Sequence, residues 1–226
     1  MKLYNGVMVG ATGALVLASA LLVPVSAQTA SAGWSLTAYG GVGSLGESRG
    51  ELRSGAGAGS GAAVDPDAGG FAGAGLRYGY GGPWESEFAW EYRSNPAETV
   101  LDSGERFPDG NYASSAFFIN GRYRLPASGT WQPHLGAGIG WLQEVDIDLE
   151  ANGTERSYSG EGALGVNLIA GLSVPLTANW SLSAEARWTR FEQVDLDAET
   201  ATVAGQRLNG LEYAPLSLQL GLSYRF

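Results

Sequence analysis

Three groups of residues have side chains and spacings suited to chemistry. His134 is the only histidine in 226 residues, so it is the only imidazole that could act as a general base toward a hydroxyl nucleophile. Glu85, Glu87, Glu91 and Glu185 could form a pair of carboxylates for acid/base work, one proton donor and one acceptor. The run Asp146-x-Asp148-x-Glu150-x-Asn152-Gly153 begins like a calcium loop. Each group has a plainer reading. Arg77, Arg93, Arg122, Arg124, Arg187 and Arg225 share the glutamates' position in an alternating pattern, which favours ion pairing over catalysis. A calcium loop needs a closing Glu at its twelfth position, and counting from Asp148 that position is Ser159. The expectation is therefore no catalytic residue, no cofactor and no metal, with His134 as an interior polar residue.

Composition narrows the setting. The chain has 35 Gly, 7 Trp, 10 Tyr and 7 Phe but only 16% charged residues, which disfavours a helical bundle. The absence of Cys excludes disulfides, thiolate metal sites and thiol catalysis. A formal charge of −10 argues against nucleic acid as a partner. The one long apolar run is N-terminal: Lys2 precedes Val7 to Val23, Pro24 closes it, and Val25-Ser26-Ala27 supplies small residues for signal peptidase. A signal peptide over 1–27 is expected, with cleavage after Ala32 as the alternative and a retained transmembrane anchor as the competing reading.

The elements that must position the charged residues are strands. Leu216, Leu218, Leu220, Leu222, Tyr224 and Phe226 alternate with Ser217, Gln219, Gly221, Ser223 and Arg225, the period of a strand with two unlike faces. Similar alternation runs through 84–93, 117–124 and 182–189, and further strands start near Trp34, Phe71, Pro133 and Ala163, giving eight. Short connections (81–83, 126–130, 175–179) alternate with long polar ones (44–68, 94–111, 143–162, 192–213). The long stretches hold 19 of the 23 acidic residues and only five Arg. Glu85, Glu87, Glu91 and Glu185 and six of the seven strand Arg fall on the non-apolar face, leaving Arg190 alone at outward parity. A charge facing lipid at mid-membrane costs about 2–4 kcal/mol, so this sorting predicts an all-β, eight-stranded antiparallel transmembrane β-barrel over 33–226. A soluble ligand-carrying barrel would reverse the faces. The Trp and Tyr clusters at strand ends, the Gly-rich charged face and the terminal Phe226 disfavour it.

The segments Gly73-Ala74-Gly75-Leu76-Arg77-Tyr78, Pro133 to Gly140, Gly171 to Leu176, Asn179-Trp180-Ser181-Leu182 and Gly221 to Phe226 resemble the small outer-membrane β-barrel family of OmpA-type transmembrane domains and opacity-type surface proteins. The resemblance implies the Gram-negative cell outer membrane as location, with turns in the periplasm and long loops outside. It also implies insertion by the barrel-assembly machinery, which in this family reads the last strand and so makes Phe226 the insertion signal. It implies contact with outer-membrane lipid and lipopolysaccharide, and a monomer. The peptidoglycan-binding domain of longer relatives is not expected. Some small barrels of this kind are lipid A deacylases with a membrane-facing Ser and His, but His134 is placed near a turn, away from the outer leaflet.

These readings lead to a non-enzymatic barrel with a structural and surface-interaction role. The alternatives are a narrow conduit for small or hydrophobic solutes and, last, a lipid-modifying enzyme. The interior is expected to hold an ion-pair network of Arg77, Glu85, Glu87, Glu91, Arg122, Arg124, Glu185, Arg187 and Arg225. Pairing about the turn 81–83 predicts Arg77 opposite Glu87 and Gly73 opposite Glu91. A hairpin centred on Asn152-Gly153 predicts Trp141 opposite Leu164, Ile139 opposite Val166 and Leu135 opposite Ala170. It makes 143–162 a rigid ribbon with Asp146, Asp148 and Glu150 on one face and with Val145, Ile147 and Leu149 continuing the outward parity of Trp141.

Overall fold

The computed structural model describes residues 32–54, 59–127, 129–151, 154–200 and 203–226. The expected signal peptide and the Asn152-Gly153 turn lie outside the described residues. Alternating polarity and abundant aromatic and β-branched residues give strands throughout. They are β1 (Ala32–Ser44), β2 (Ser48–Ser54), β3 (Ser60–Pro66), β4 (Gly69–Tyr80), β5 (Trp84–Leu101), β6 (Arg106–Phe107), β7 (Asp109–Arg124), β8 (Gln132–Ala151), β9 (Thr154–Gly160), β10 (Ala163–Pro175), β11 (Trp180–Phe191), β12 (Val194–Ala198), β13 (Gln206–Leu211) and β14 (Leu216–Arg225). All pairings are antiparallel.

Fourteen strands replace the expected eight because stretches read as long loops fold as sheet. The hydrogen-bonded path closes in two ways. One circuit runs β1, β4, β5, β7, β8, β10, β11, β14 and back to β1. A wider one leaves β5 through β3, β2, β13, β12 and β9 to β8, and so passes through twelve strands. The added strands keep the registers of the strands below them. Ser44 faces Leu216 in β1–β14, and Ser54 faces Gln206 in β2–β13, an advance of ten residues on each side. From Gly165–Phe191 in β10–β11 to Ser159–Asp197 in β9–β12 the step is six residues on each side. Thus β2 prolongs β1, β9 leads into β10, β12 prolongs β11 and β13 leads into β14.

The expected registers are present: Arg77 faces Glu87, Gly73 faces Glu91, and Leu164, Val166 and Ala170 face Trp141, Ile139 and Leu135. The stretch 143–162 is β-ribbon, β8 against β9 from Val145–Gly160 to Ala151–Thr154. One part of that reading is corrected. Val145, Ile147 and Leu149 are buried inside, whereas Trp141 is exposed outside. Between β7 and β8, Ser115 pairs with Glu144 and Ala116 with Leu142, so Gln143 is left over as a bulge. One extra residue exchanges the faces of everything beyond it. Comparable breaks separate β9 from β10 at Gly162 (φ 87°) and interrupt β13 at Gly210 (φ 76°), a left-handed conformation that glycine adopts without strain.

The result is a barrel wall with two polarities. On the turn side, Leu36, Phe88, Ile119, Ile139, Leu168 and Leu220 project outward and are exposed, while Arg77, Glu87, Arg122 and Glu185 are buried within. On the loop side, Glu98, Asp109, Glu144, Asp195 and Asp197 are exposed. Inside them Val64, Leu101, Tyr112, Val145, Ile147, Leu149, Tyr158, Leu196, Leu208 and Leu211 belong to one buried apolar cluster.

Candidate functional site

The interior network is assembled by five strands. Arg77 on β4 and Glu87 on β5 are cross-strand partners, with Arg77 Nε donating to Glu87 Oε2 at 3.2 Å. From β7, Arg122 donates through Nη1 to the same oxygen at 2.6 Å. Across the lumen on β11, Glu185 accepts from Arg122 through both of its oxygens, from Arg77 Nη2 at 3.3 Å, and from Gln219 Nε2 on β14 at 2.9 Å. The Glu87 and Glu185 side chains are 0% exposed. Gly171 on β10 leaves the room this requires: a Cβ there would stand 2.7 Å from Glu185 Cγ and 2.8 Å from His134 Nε2.

His134 on β8 joins this cluster. Its Nε2 lies 2.7 Å from Arg122 Nη2 and 3.1 Å from Glu185 Oε1. A guanidinium can only donate and a carboxylate can only accept, so Nε2 sits between a donor and an acceptor, and the ring tautomer decides which of the two it bonds. With Nε2 held between Arg122 and Glu185, the ring faces the ion-pair cluster.

A second cluster lies nearer the loop side. Glu91 accepts from Arg93 Nη2 at 2.9 Å and from Arg187 Nη1 at 3.0 Å. Arg187 also stacks over Phe118 and Tyr39, with its guanidinium carbon 4.9 and 5.3 Å from the ring centroids, and Arg93 lies 4.5 Å over Phe71. Desolvated cation–aromatic contacts of this kind are worth about 2 kcal/mol each. Arg124 approaches Glu85 at 3.6 Å near the turns. Arg225, the ninth residue expected in the network, has no carboxylate within 4.0 Å among the described residues. Arg93, Gln219 and Tyr39 belong to the interior set as well. Arg93 carried the parity signal, whereas a neutral Gln and a Tyr on the inward face gave no charge pattern to find.

Outside, aromatic rings form two belts. Near the turns, Trp34–Tyr78, Trp84–Tyr123 and Trp180–Tyr224 pair with centroids 4.8 to 4.9 Å apart. Farther from the turns, Phe88, Phe117 and Trp141 stack in a row that climbs from the level of Ile119 and Ile139 toward the loops. Phe226 is 72% exposed, packs edge-on against Tyr224, and donates its N–H to Trp34 O at 3.1 Å. Asp146 and Asp148 are half-buried and Glu150 exposed, all on the outer face of the ribbon. Partial burial, with Glu144, Glu199 and Asp148 nearby, pushes the Asp146 carboxyl above its ordinary value.

The arrangement is that of a plugged barrel with an apolar outer band between aromatic belts. Solved structures of the same fold include OprG from Pseudomonas aeruginosa, at 12% identity and a TM-score of 0.63, covering 88% of this chain and 98% of that one. A major outer membrane protein from Thermus thermophilus matches at 15% identity and 0.57, covering 87% and 100%. Neisserial surface protein A matches at 14% and 0.50, covering 85% and 97%. No curated protein matches the chain. The family model described as an outer membrane protein beta-barrel domain matches residues 14–226. An apolar exterior, a charged and filled interior, and that match over nearly the whole chain have one reading: this protein belongs to the outer membrane protein β-barrel domain family.

Proposed function

We propose that this outer-membrane protein is a non-enzymatic, closed barrel that reinforces the membrane and presents a rigid acidic collar at the cell surface. In this reading, eight strands cross the membrane: β1, β4, β5, β7, β8, β10, β11 and β14. The turns face the periplasm, and the remaining strands carry the wall beyond the outer leaflet. The single observation that carries the proposal is the filling of the lumen. The Arg77–Glu87–Arg122–Glu185 cluster occupies the turn side, Glu91–Arg93–Arg187 the middle, and a continuous apolar core the loop side. An eight-stranded circuit is only about wide enough for its own side chains, and isolated charges there would be costly, which favours a connected plug over open water.

The inversion of polarity supports the surface role. A wall that is apolar outside suits lipid, whereas one that is acidic outside and apolar inside suits water. Asp146, Asp148 and Glu150 belong to the water-facing collar, where cationic partners would dock. The barrel-assembly machinery, outer-membrane lipid and lipopolysaccharide remain the other partners in this reading, with a monomer as the assembled form and no role for nucleic acid. The test is reconstitution in planar bilayers at several voltages. The expected result is no steady conductance, and stable nanosiemens openings would replace the scaffold with a conduit for small solutes.

A further inference from the structure

The turn end of the lumen is not filled by the plug. A cavity of about 80 Å³ remains there, lined by Arg77, Arg124, Arg225, His134, Ser181 and Ser223 among others. Arg122 and His134 line it toward the plug, and Arg122 bonds onward to Glu185 and Glu87. The volume exceeds the roughly 30 Å³ share of one water. The side-chain charges around it do not balance. Arg77, Arg122, Arg124 and Arg225 supply four guanidinium groups, and the carboxylates paired with them are three: Glu85, Glu87 and Glu185. Arg225 is the group left over, half-buried and facing the pocket.

We propose that this pocket binds one small oxyanion, a phosphate or a carboxylate group. The chemistry follows from the lining. A guanidinium presents two parallel N–H groups that match two oxygens of such an anion, and Arg225 has no internal carboxylate to occupy them. Arg124 is held beside it through its Nη2 bond to Gly82 O at 2.8 Å and a long 3.6 Å contact to Glu85, which leaves donor capacity on its guanidinium. Serine hydroxyls can donate to the remaining oxygens. A bound anion would bring the four positive charges to balance without disturbing the buried pairs behind them. The site is separate from the acidic collar and lies at the opposite end of the barrel.

The test uses the mature barrel folded in detergent micelles, with backbone amide shifts followed by NMR during titration with sodium phosphate, sodium acetate and, as the ionic-strength control, sodium chloride. The expected result is saturable shifts confined to the residues around Ser181, Ser223 and Arg225 with phosphate, acetate or both. The tighter of the two identifies whether a phosphate or a carboxylate is the preferred group. Arg225→Gln should weaken that binding at least about tenfold, and Arg190→Gln, on the outer face, should leave it unchanged. Heat-modifiable gel mobility reports folding of each variant, and Arg124→Gln is read in the same way should Arg225→Gln not fold. Shifts that rise without saturation, equal shifts with chloride, or wild-type affinity in the Arg225 and Arg124 variants would overturn the proposal.

Discussion

Replacing Arg122 with Met removes the guanidinium that Glu87 and Glu185 share while keeping most of the side-chain volume. Both carboxylates are fully covered, and Arg122 itself is 1% exposed. After the change, Arg77 is the one arginine within ion-pair distance of both acids among the described residues, at 3.2 and 3.3 Å. One positive charge then faces two buried negative charges. Breaking a buried pair in this way costs about 3–5 kcal/mol, because the stranded carboxylate cannot regain water. With a denaturant slope of roughly 2 kcal/mol per molar urea, the unfolding midpoint should fall by roughly 1.5–2.5 M. The assay is urea unfolding of the barrel in lipid vesicles, followed by tryptophan fluorescence and by gel mobility. The double variant Arg122→Met/Glu185→Gln restores the charge balance, leaves the Arg77–Glu87 pair in place and should recover at least about 1 kcal/mol of the loss, the size of coupling expected for residues in contact. A midpoint shift below about 0.5 M for Arg122→Met, or a double variant that loses the sum of the two single losses, would refute the plug as a coupled network.

Three further outcomes are expected. Deleting Phe226, or replacing it with Asp, should lower the yield of heat-modifiable protein in the outer membrane, since Phe226 completes the apolar face of β14 against Tyr224; normal surface-exposed protein would count against this. Deleting Gln143 removes the bulge and turns Val145, Ile147 and Leu149 outward, so amide protection across 144–160 should collapse while β10 and β11 stay protected. Asp146, whose carboxyl titrates above its unfolded value, takes up a proton more readily in the folded ribbon; protection of 144–150 and 157–160 should therefore rise as pH falls from 7 toward 4, and Asp146→Asn should show the raised protection already at neutral pH.

The acid-rich outer face and the apolar outer band share the same long strands, β5, β7 and β8, which run from the turns to the loop end. Pairing between them runs from the turns up to Pro96–Asn111 in β5–β7 and, past the bulge at Gln143, to Asp109–Glu150 in β7–β8. The breaks fall in other places. β1 and β2, β3 and β4, β9 and β10, β11 and β12, and β13 and β14 are each separated by short interruptions. The wall is therefore continuous on one side and segmented on the other.

What the sequence determined by itself is the set of properties that local chemistry controls. Period-two alternation assigns faces wherever a strand is unbroken, so Arg77, Glu87, Arg122, Glu185 and Arg187 were legible as inward without any structure. Turn geometry sets the register of neighbours, so the pairings of Arg77 with Glu87 and of Trp141 with Leu164 followed from the positions of Gly81 to Pro83 and of Asn152-Gly153. Tertiary structure decided the rest. Which acid meets which base across the lumen depends on closure, which brings Arg77 to Glu185 and Arg187 to Glu91 from strands far apart in the chain. The inversion of polarity above Gln143 depends on a bulge, and a single extra residue leaves almost no mark on composition or charge. Val145, Ile147 and Leu149 alternate in the same way on either side of a wall; only the partner strand, by skipping Gln143, determines that they point inward and make the loop side a core.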